Sequence, residues 1–284
     1  MNPGVSVRAL IERAAAQLPG DEARREAELL LLHVLDRPRA WLYAHAADAL
    51  PSGVVAQFDG LLARRAGGEP LAYVTGEREF WSLPLAVSPA VLIPRHETER
   101  LVELALERVP PDVDCAIADL GTGSGAIALA LAHERPFARV LACDASAAAL
   151  AQAQANAARL GLGNVEFVLS DWFAAFGTRR FDLVVSNPPY IAADDAHLTQ
   201  GDLRFEPAAA LAAGADGLEA IRRIARDAPA HLAPGAWLLF EHGWDQGAAA
   251  RAILAQNGFV DIFTATDLEQ RERVSGARAG APSP

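Results

Sequence analysis

The sequence contains no lysine: all 25 basic residues are arginine, against 36 acids, for a net charge of −11. That absence removes whole reaction classes. Phosphate-loop NTPases, protein kinases and Schiff-base enzymes each need a lysine amine at the reacting phosphate or carbonyl. The acidic balance also argues against direct nucleic-acid binding, because basic side chains that neutralise phosphates supply most of the non-specific affinity. Residues 1–80 hold nine arginines against eleven acids, so most of the surplus acid lies further along the chain. Cysteine is scarce as well. Cys115 and Cys143 sit in apolar, strand-like runs and read as buried, reduced thiols. The seven histidines are scattered, with no His-Glu-x-x-His and no cysteine pair at ligand spacing, so no metal site is expected. No apolar run reaches the roughly 18 residues of a membrane span. The N-terminus lacks the basic and apolar regions of a signal peptide, and cytoplasmic residence is expected.

What the chain does have is apolar bulk, 51% of 284 residues, enough for one or two domains. Residues 1–75 read as a helical domain. Ser6 and Asp21 are candidate N-caps for periodic segments at 7–18 and 22–35, and Ser52 for a helix ending at Gly67. Such a domain could recognise a partner or simply stabilise the fold. Residues 76–94, with two short apolar stretches around Ser82 and Pro84, read as a hairpin linker to an α/β domain over 95–284. Glu97, Thr98 and Glu99 precede a helical pattern at 101–108. They suit either helix capping or a role beside a ligand.

The α/β domain opens with Cys115-Ala116-Ile117-Ala118-Asp119-Leu120 running into Gly121-Thr122-Gly123-Ser124-Gly125 and a helical run at 126–133. Strand, glycine turn and helix form the first unit of a doubly wound fold. The spacing is G-x-G-x-G, which departs from the dinucleotide fingerprint and lacks a phosphate-loop lysine. Asp144 ends the next strand-like run, 19 residues after Gly125, where an acid binds ribose hydroxyls. A third run, Val165–Leu169, ends in Ser170-Asp171-Trp172, placed to hydrogen-bond and stack a purine. The fourth, Phe181-Asp182-Leu183-Val184-Val185, is stopped by Ser186-Asn187-Pro188-Pro189-Tyr190, because two prolines donate nothing to a ladder. Asp182 reads as structural.

The Asn187–Tyr190 turn offers a carboxamide oxygen, backbone carbonyls and an aromatic ring. Those acceptors suit a planar, uncharged –NH2 group, although a strand followed by a proline turn would explain the same residues. A ribose acid, a purine shelf and no phosphate-binding lysine together describe S-adenosylmethionine. They point to a class I S-adenosylmethionine-dependent methyltransferase, a Rossmann-like α/β fold on a seven-stranded sheet. The chemistry asks mainly for alignment of an acceptor nitrogen, and acceptors from Asn187 and Pro188 would hold its N–H bonds.

Phe80-Trp81-Ser82-Leu83-Pro84, Ile93-Pro94-Arg95-His96-Glu97-Thr98-Glu99, Asp119 to Gly125, Ser170-Asp171-Trp172-Phe173, Asn187-Pro188-Pro189-Tyr190, Gln200 to Pro207 and Glu241-His242-Gly243-Trp244 occur in this order. In this the chain resembles the bacterial peptide chain release factor glutamine methyltransferases. The resemblance implies methylation of the glutamine amide in a Gly-Gly-Gln loop of release factors, with the N-terminal helices contacting that protein. It further implies that Gly121, Thr122, Gly123, Ser124, Gly125, Asp144, Asp171, Trp172 and Asn187 bind S-adenosylmethionine. Asn187, Pro188, Pro189 and Tyr190 would hold the glutamine, with Asn187, Pro188 and Tyr190 as catalytic residues. The Asn-Pro-Pro-Tyr string is shared with adenine-amine methyltransferases, so an amine methyltransferase acting on another protein or on a nucleic-acid base is the alternative. A non-catalytic cofactor-binding protein would be expected to lose the acceptor turn, which is intact. Two positions depart from the family pattern. His96 stands in place of proline and is expected to loosen the turn before Thr98. Ser275-Gly276-Ala277-Arg278 replaces a more apolar final strand, expected to be short or frayed, with 279–284 disordered.

Overall fold

The Ser6 hydroxyl accepts the Ala9 N–H at 3.3 Å and starts α1 (Val7–Ala15), satisfying one of the donors that a helix start leaves open. The structure, a computed structural model, describes residues 4–280. Its contacts divide the chain into two units, Met1–Glu77 and Arg78–Pro284. In the first, α2 (Ala23–Leu35) begins without a side-chain cap, so Asp21 does not serve as one. α3 (Arg39–Ala44) is a short connector, and α4 (Ser52–Ala66) takes Ser52 as its first helical residue with Pro51 before it. A proline there loses nothing, since its missing N–H would be unpaired anyway. α5 (Leu71–Thr75) closes the unit. Leu10, Ile11, Leu30, Leu31, Phe58 and Leu62 fill its core, and a largely buried Arg65–Glu26 pair at 2.8 Å ties α4 to α2.

A hairpin, β1 (Glu77–Phe80) and β2 (Leu83–Ala86), belongs to the second unit from Arg78 onward. Trp81 and Ser82 both have positive φ, 54° and 59°, as a tight two-residue turn demands. A tryptophan is costly there, and the site offsets it: the Trp81 backbone N–H donates to Glu99 at 2.9 Å and its indole to Glu134 at 2.8 Å. Glu99 opens α6 (Glu99–Leu106), after a 3-10 turn over His96–Thr98. His96 is exposed, so the turn accommodates it, and Thr98 is buried.

The remaining elements are β3 (Ala116–Leu120), α7 (Ala126–Glu134), β4 (Arg139–Asp144), α8 (Ala147–Leu160), β5 (Val165–Leu169), β6 (Phe181–Ser186), α9 (Glu219–Asp227), β7 (Leu232–Glu241), α10 (Gly247–Gln256), β8 (Val260–Thr266) and β9 (Glu272–Arg278). The seven strands after the hairpin form one sheet in the order β5-β4-β3-β6-β7-β9-β8, parallel except for β9. Because side chains alternate along a strand, neighbours divide between two cores. Leu183, Val185 and Leu239 join α6 and α7 on one face, while Val184, Leu238 and Phe240 join α9 and α10 on the other. Asp182, at the far end of β6, accepts the Ala116 N–H at 2.8 Å and secures the start of β3.

The final strand corrects an expectation. β9 runs seven residues and pairs on both sides, with β7 and β8, despite its polar sequence. Ser275 is buried and bonds His242 and Thr264, while Gly276 lies where a Cβ would strike Leu239 and Phe263. Small and polar residues are what this crowded interior strand requires. The Ala279 N–H donates to the Ala236 carbonyl at 2.8 Å, and the tail at 281–284 lies outside the described residues. Among the described residues no helix is long and apolar enough to cross a membrane.

Candidate functional site

The chain lays β4 and β5 on one side of β3 and β6 and β7 on the other. The order of an open sheet reverses at such a point, leaving a crevice outside the carboxyl ends of the strands. A cavity of about 370 Å³ lies there, lined by Gly121, Gly123, Asp144, Asp171, Trp172, Asn187 and Pro189. Four successive strand ends thus meet at one place. The other three residues of the glycine turn are not in the cavity wall. Thr122 and Ser124 are buried, Thr122 donating to Asp119 at 2.7 Å and the Ser124 carbonyl accepting from Asn156 at 2.9 Å, and Gly125 precedes α7.

The turn is stitched to β4. Gly121 and Thr122 donate to the Cys143 carbonyl, and Gly123 donates to Asp144 Oδ2 at 2.9 Å. Asp144 Oδ1 accepts the Ser146 N–H at 2.8 Å, so each oxygen is anchored and still has a free lone pair for a ligand hydroxyl. Gly121 has φ +73°, which an L residue rarely adopts, and presents its bare Cα to the Trp172 ring. Trp172 is itself strained at φ 51°. Its carbonyl is fixed by the Ser170 hydroxyl at 2.7 Å and the Cys143 thiol at 3.5 Å. Burial pushes that thiol up to about 12, so it remains a donor. Asp171 pairs with Arg223 at 2.6 Å, with both side chains about half exposed. Beneath the turn, Asp119 is fully buried with its Oδ1 unpartnered. Burial pushes its carboxyl up to about 7, against the pull of the Thr122 hydroxyl and the Ala128 N–H.

The charge of the cavity selects among ligands. Its wall carries the carboxylate of Asp144 and that of Asp171, the latter paired with Arg223, and no basic side chain lines it. A pyrophosphate would meet repulsion there, whereas a nucleoside bearing a cationic group fits both the charge and the Trp172 shelf.

A smaller cavity of about 70 Å³ is lined by Asn187, Pro188, Pro189 and Tyr190, with Arg95 and Leu203. Asn187 and Pro189 belong to the walls of both cavities. The segment that follows Tyr190 supplies further wall: Pro207 and Ala210 reach the large cavity, Leu203 and Ala210 the small one. Buried Glu206 holds that segment by accepting the Ile93 N–H at 3.0 Å and pairing with Arg95.

Three residues given no individual role from the sequence support the acceptor turn. Asn187 Nδ2 donates to the Thr98 hydroxyl at 3.1 Å, Thr98 donates to Glu241 Oε2 at 2.6 Å, and the Tyr190 hydroxyl donates to Glu241 Oε1 at 3.0 Å. Gln246 donates to the Tyr190 carbonyl at 2.9 Å. Gly217 lies so close behind that carbonyl that a Cβ would come within 2.2 Å of it. Thr98 makes no capping bond, and Glu99 is occupied by Trp81, so capping does not account for the Glu97-Thr98-Glu99 cluster. The strings around Thr98 and Glu241 were visible in the sequence, but only folding places them together across 143 positions.

Two family models match the chain: the PrmC N-terminal domain over residues 9–76 and the methyltransferase small domain over 97–212. The release factor glutamine methyltransferase of Xylella fastidiosa strain Temecula1 is 56% identical over 255 residues, 90% of this chain and 93% of that one. The protein of the same name from Escherichia coli is 48% identical over 269 residues, 94% of this chain and 97% of its own. Among solved structures, a methyltransferase from Pyrococcus furiosus shares the fold, with TM-score 0.54 and 16% identity over 78% of this chain and all of that one. At such identity over nearly the whole length of its relatives, with the helical unit and strands β3–β6 of the sheet both matched by family models, the chain belongs to the release factor glutamine methyltransferase family.

Proposed function

We propose that this protein transfers a methyl group from S-adenosylmethionine to the side-chain amide nitrogen of the glutamine in the Gly-Gly-Gln motif of peptide chain release factors, in the cytoplasm. The observation that carries the reading is that Asn187 and Pro189, with Leu92 and Ala210, lie in the walls of both cavities. A nucleoside-sized space and a carboxamide-sized space meet at Asn187, the one shared residue whose side chain can accept an N–H bond.

Asp144, Asp171, Trp172 and the backbone of Gly121 and Gly123 would hold the cofactor. Asp144 takes the ribose hydroxyls on the lone pairs that Gly123 and Ser146 leave free. When bound, S-adenosylmethionine supplies a methyl group already activated by its sulfonium. The rest falls to the chain's own residues. Asn187 Oδ1 and the Pro188 carbonyl accept the two N–H bonds of the glutamine, fixing the direction of the nitrogen and making it more electron-rich as it becomes methylated. Tyr190 and the prolines flank the planar amide, and the nitrogen's proton leaves to solvent. Tyr190 takes no part as a base, because burial and the neighbouring Glu241 raise its phenol far above its ordinary value. The helical unit is assigned to binding the release factor protein, and the net charge of −11 argues against a direct hold on nucleic acid. Incubation with a release factor and S-adenosylmethionine, followed by peptide mass spectrometry, tests the reading. A single methyl on the Gly-Gly-Gln glutamine supports it, and a methyl elsewhere or none contradicts it.

A further inference from the structure

The geometry points to Thr98 and Glu241 as positioning residues that fix which way round the Asn187 carboxamide faces. This rests on the proposal that Asn187 accepts from the glutamine –NH2. The two ends of a carboxamide are nearly equal in shape, so packing alone would admit the flipped form. In that form Asn187 would present its own –NH2 to the –NH2 of the substrate, donor against donor, and the clamp would be lost.

A count of hydrogens prevents it. Glu241, buried at the end of β7, faces two hydroxyls, Thr98 at 2.6 Å and Tyr190 at 3.0 Å. As a carboxylate it offers only lone pairs, so each hydroxyl must give it a hydrogen. Thr98 has one hydrogen, and it is committed. What Thr98 turns toward Asn187, 3.1 Å away, is therefore a lone pair, which pairs with Nδ2 and repels Oδ1. Glu241 thus orients through Thr98 an amide that it does not touch. Its other oxygen holds the Tyr190 ring beside the same small cavity.

The device depends on Glu241 being ionised. A protonated Glu241 could donate to Thr98, releasing the Thr98 hydrogen to meet Asn187 Oδ1 and so permitting the flip. Burial raises the Glu241 carboxyl. The Thr98 and Tyr190 hydroxyls, with Arg273 on β9, act to keep it charged, and Glu97 opposes them. Loss of turnover is accordingly expected as the pH falls through a Glu241 value above the ordinary carboxylate range.

The test places Thr98→Val, which keeps the shape and removes the hydroxyl, and Thr98→Ser, which restores it, in the parent and in an Asn187→Ala background. Turnover is read at saturating cofactor and release factor. Thr98→Val is expected to lower kcat about ten- to a hundred-fold, with cofactor Kd and release factor KM near the parent values, while Thr98→Ser retains most of the parent rate. In the Asn187→Ala background Thr98→Val should cost nothing further, since no amide remains to orient. If Thr98→Val does not fold, as judged by thermal melting, Glu241→Gln carries the same comparison and should also abolish the acid loss of turnover. An equal loss in both backgrounds, or Thr98→Ser as impaired as Thr98→Val, overturns the proposal. A parent enzyme that methylates no release factor glutamine overturns the functional reading itself, and the positioning role with it.

Discussion

Asp144 accepts the backbone N–H of Gly123 at 2.9 Å, so the acid at the end of β4 holds the glycine turn in place. A residue expected only to bind ribose therefore has a second duty. Hydrogen bonds to a charged group contribute about 1.5–3 kcal/mol, and Asp144→Ala should weaken S-adenosylmethionine binding by roughly ten- to a hundred-fold. Asp144→Asn, which keeps one acceptor for the turn, should be less affected. Calorimetry that finds unchanged affinity in a folded Asp144→Ala variant would remove this residue from the site.

A second prediction concerns Asp119. Its carboxyl is raised from 3.8 to about 7, foremost by burial. Between those values the folded chain holds a proton that the unfolded chain has released, so this group's contribution to stability falls as the pH rises through the window and is flat beyond it. Asp119→Asn cannot titrate. Its melting temperature relative to the parent should climb between about pH 4 and about pH 7 and level off above that. A difference that stays constant across that range would show that Asp119 titrates as an ordinary carboxylate.

The helical unit has its own core around Leu10, Leu30 and Phe58, which makes a clean truncation possible. Deleting residues 1–75 is expected to leave cofactor affinity close to the parent value and to raise the release factor KM sharply. Intact KM in the folded truncation would make that unit structural only.

The site was legible where its chemistry is local. A glycine turn, an acid at the next strand end and a double proline after a β-branched run each announce themselves within a few residues, because backbone conformation and strand termination are set locally. The support of that site was not legible. Nothing in the neighbourhood of Thr98 says that its hydroxyl meets Asn187, and nothing around Glu241 says that it gathers two hydroxyls from distant segments. The same limit explains β9. Its serine and glycine looked unfit for an interior strand until His242, Leu239 and Phe263 were seen pressing against them. It also qualifies Tyr190. A phenylalanine there would keep the stacking ring, but it would leave a Glu241 oxygen buried without its donor, so Tyr190→Phe should cost more than loss of a hydroxyl from an open ring would suggest.

The central claim is that Asn187 clamps the glutamine amide where the two cavities join. The most direct measurement is the single-turnover rate of Asn187→Ala on a release factor, with cofactor raised until the rate no longer responds to it. Removing one preorganised transition-state acceptor should lower that rate by about a hundred- to a thousand-fold. A saturated Asn187→Ala enzyme that methylates glutamine at close to the parent rate would contradict the clamp.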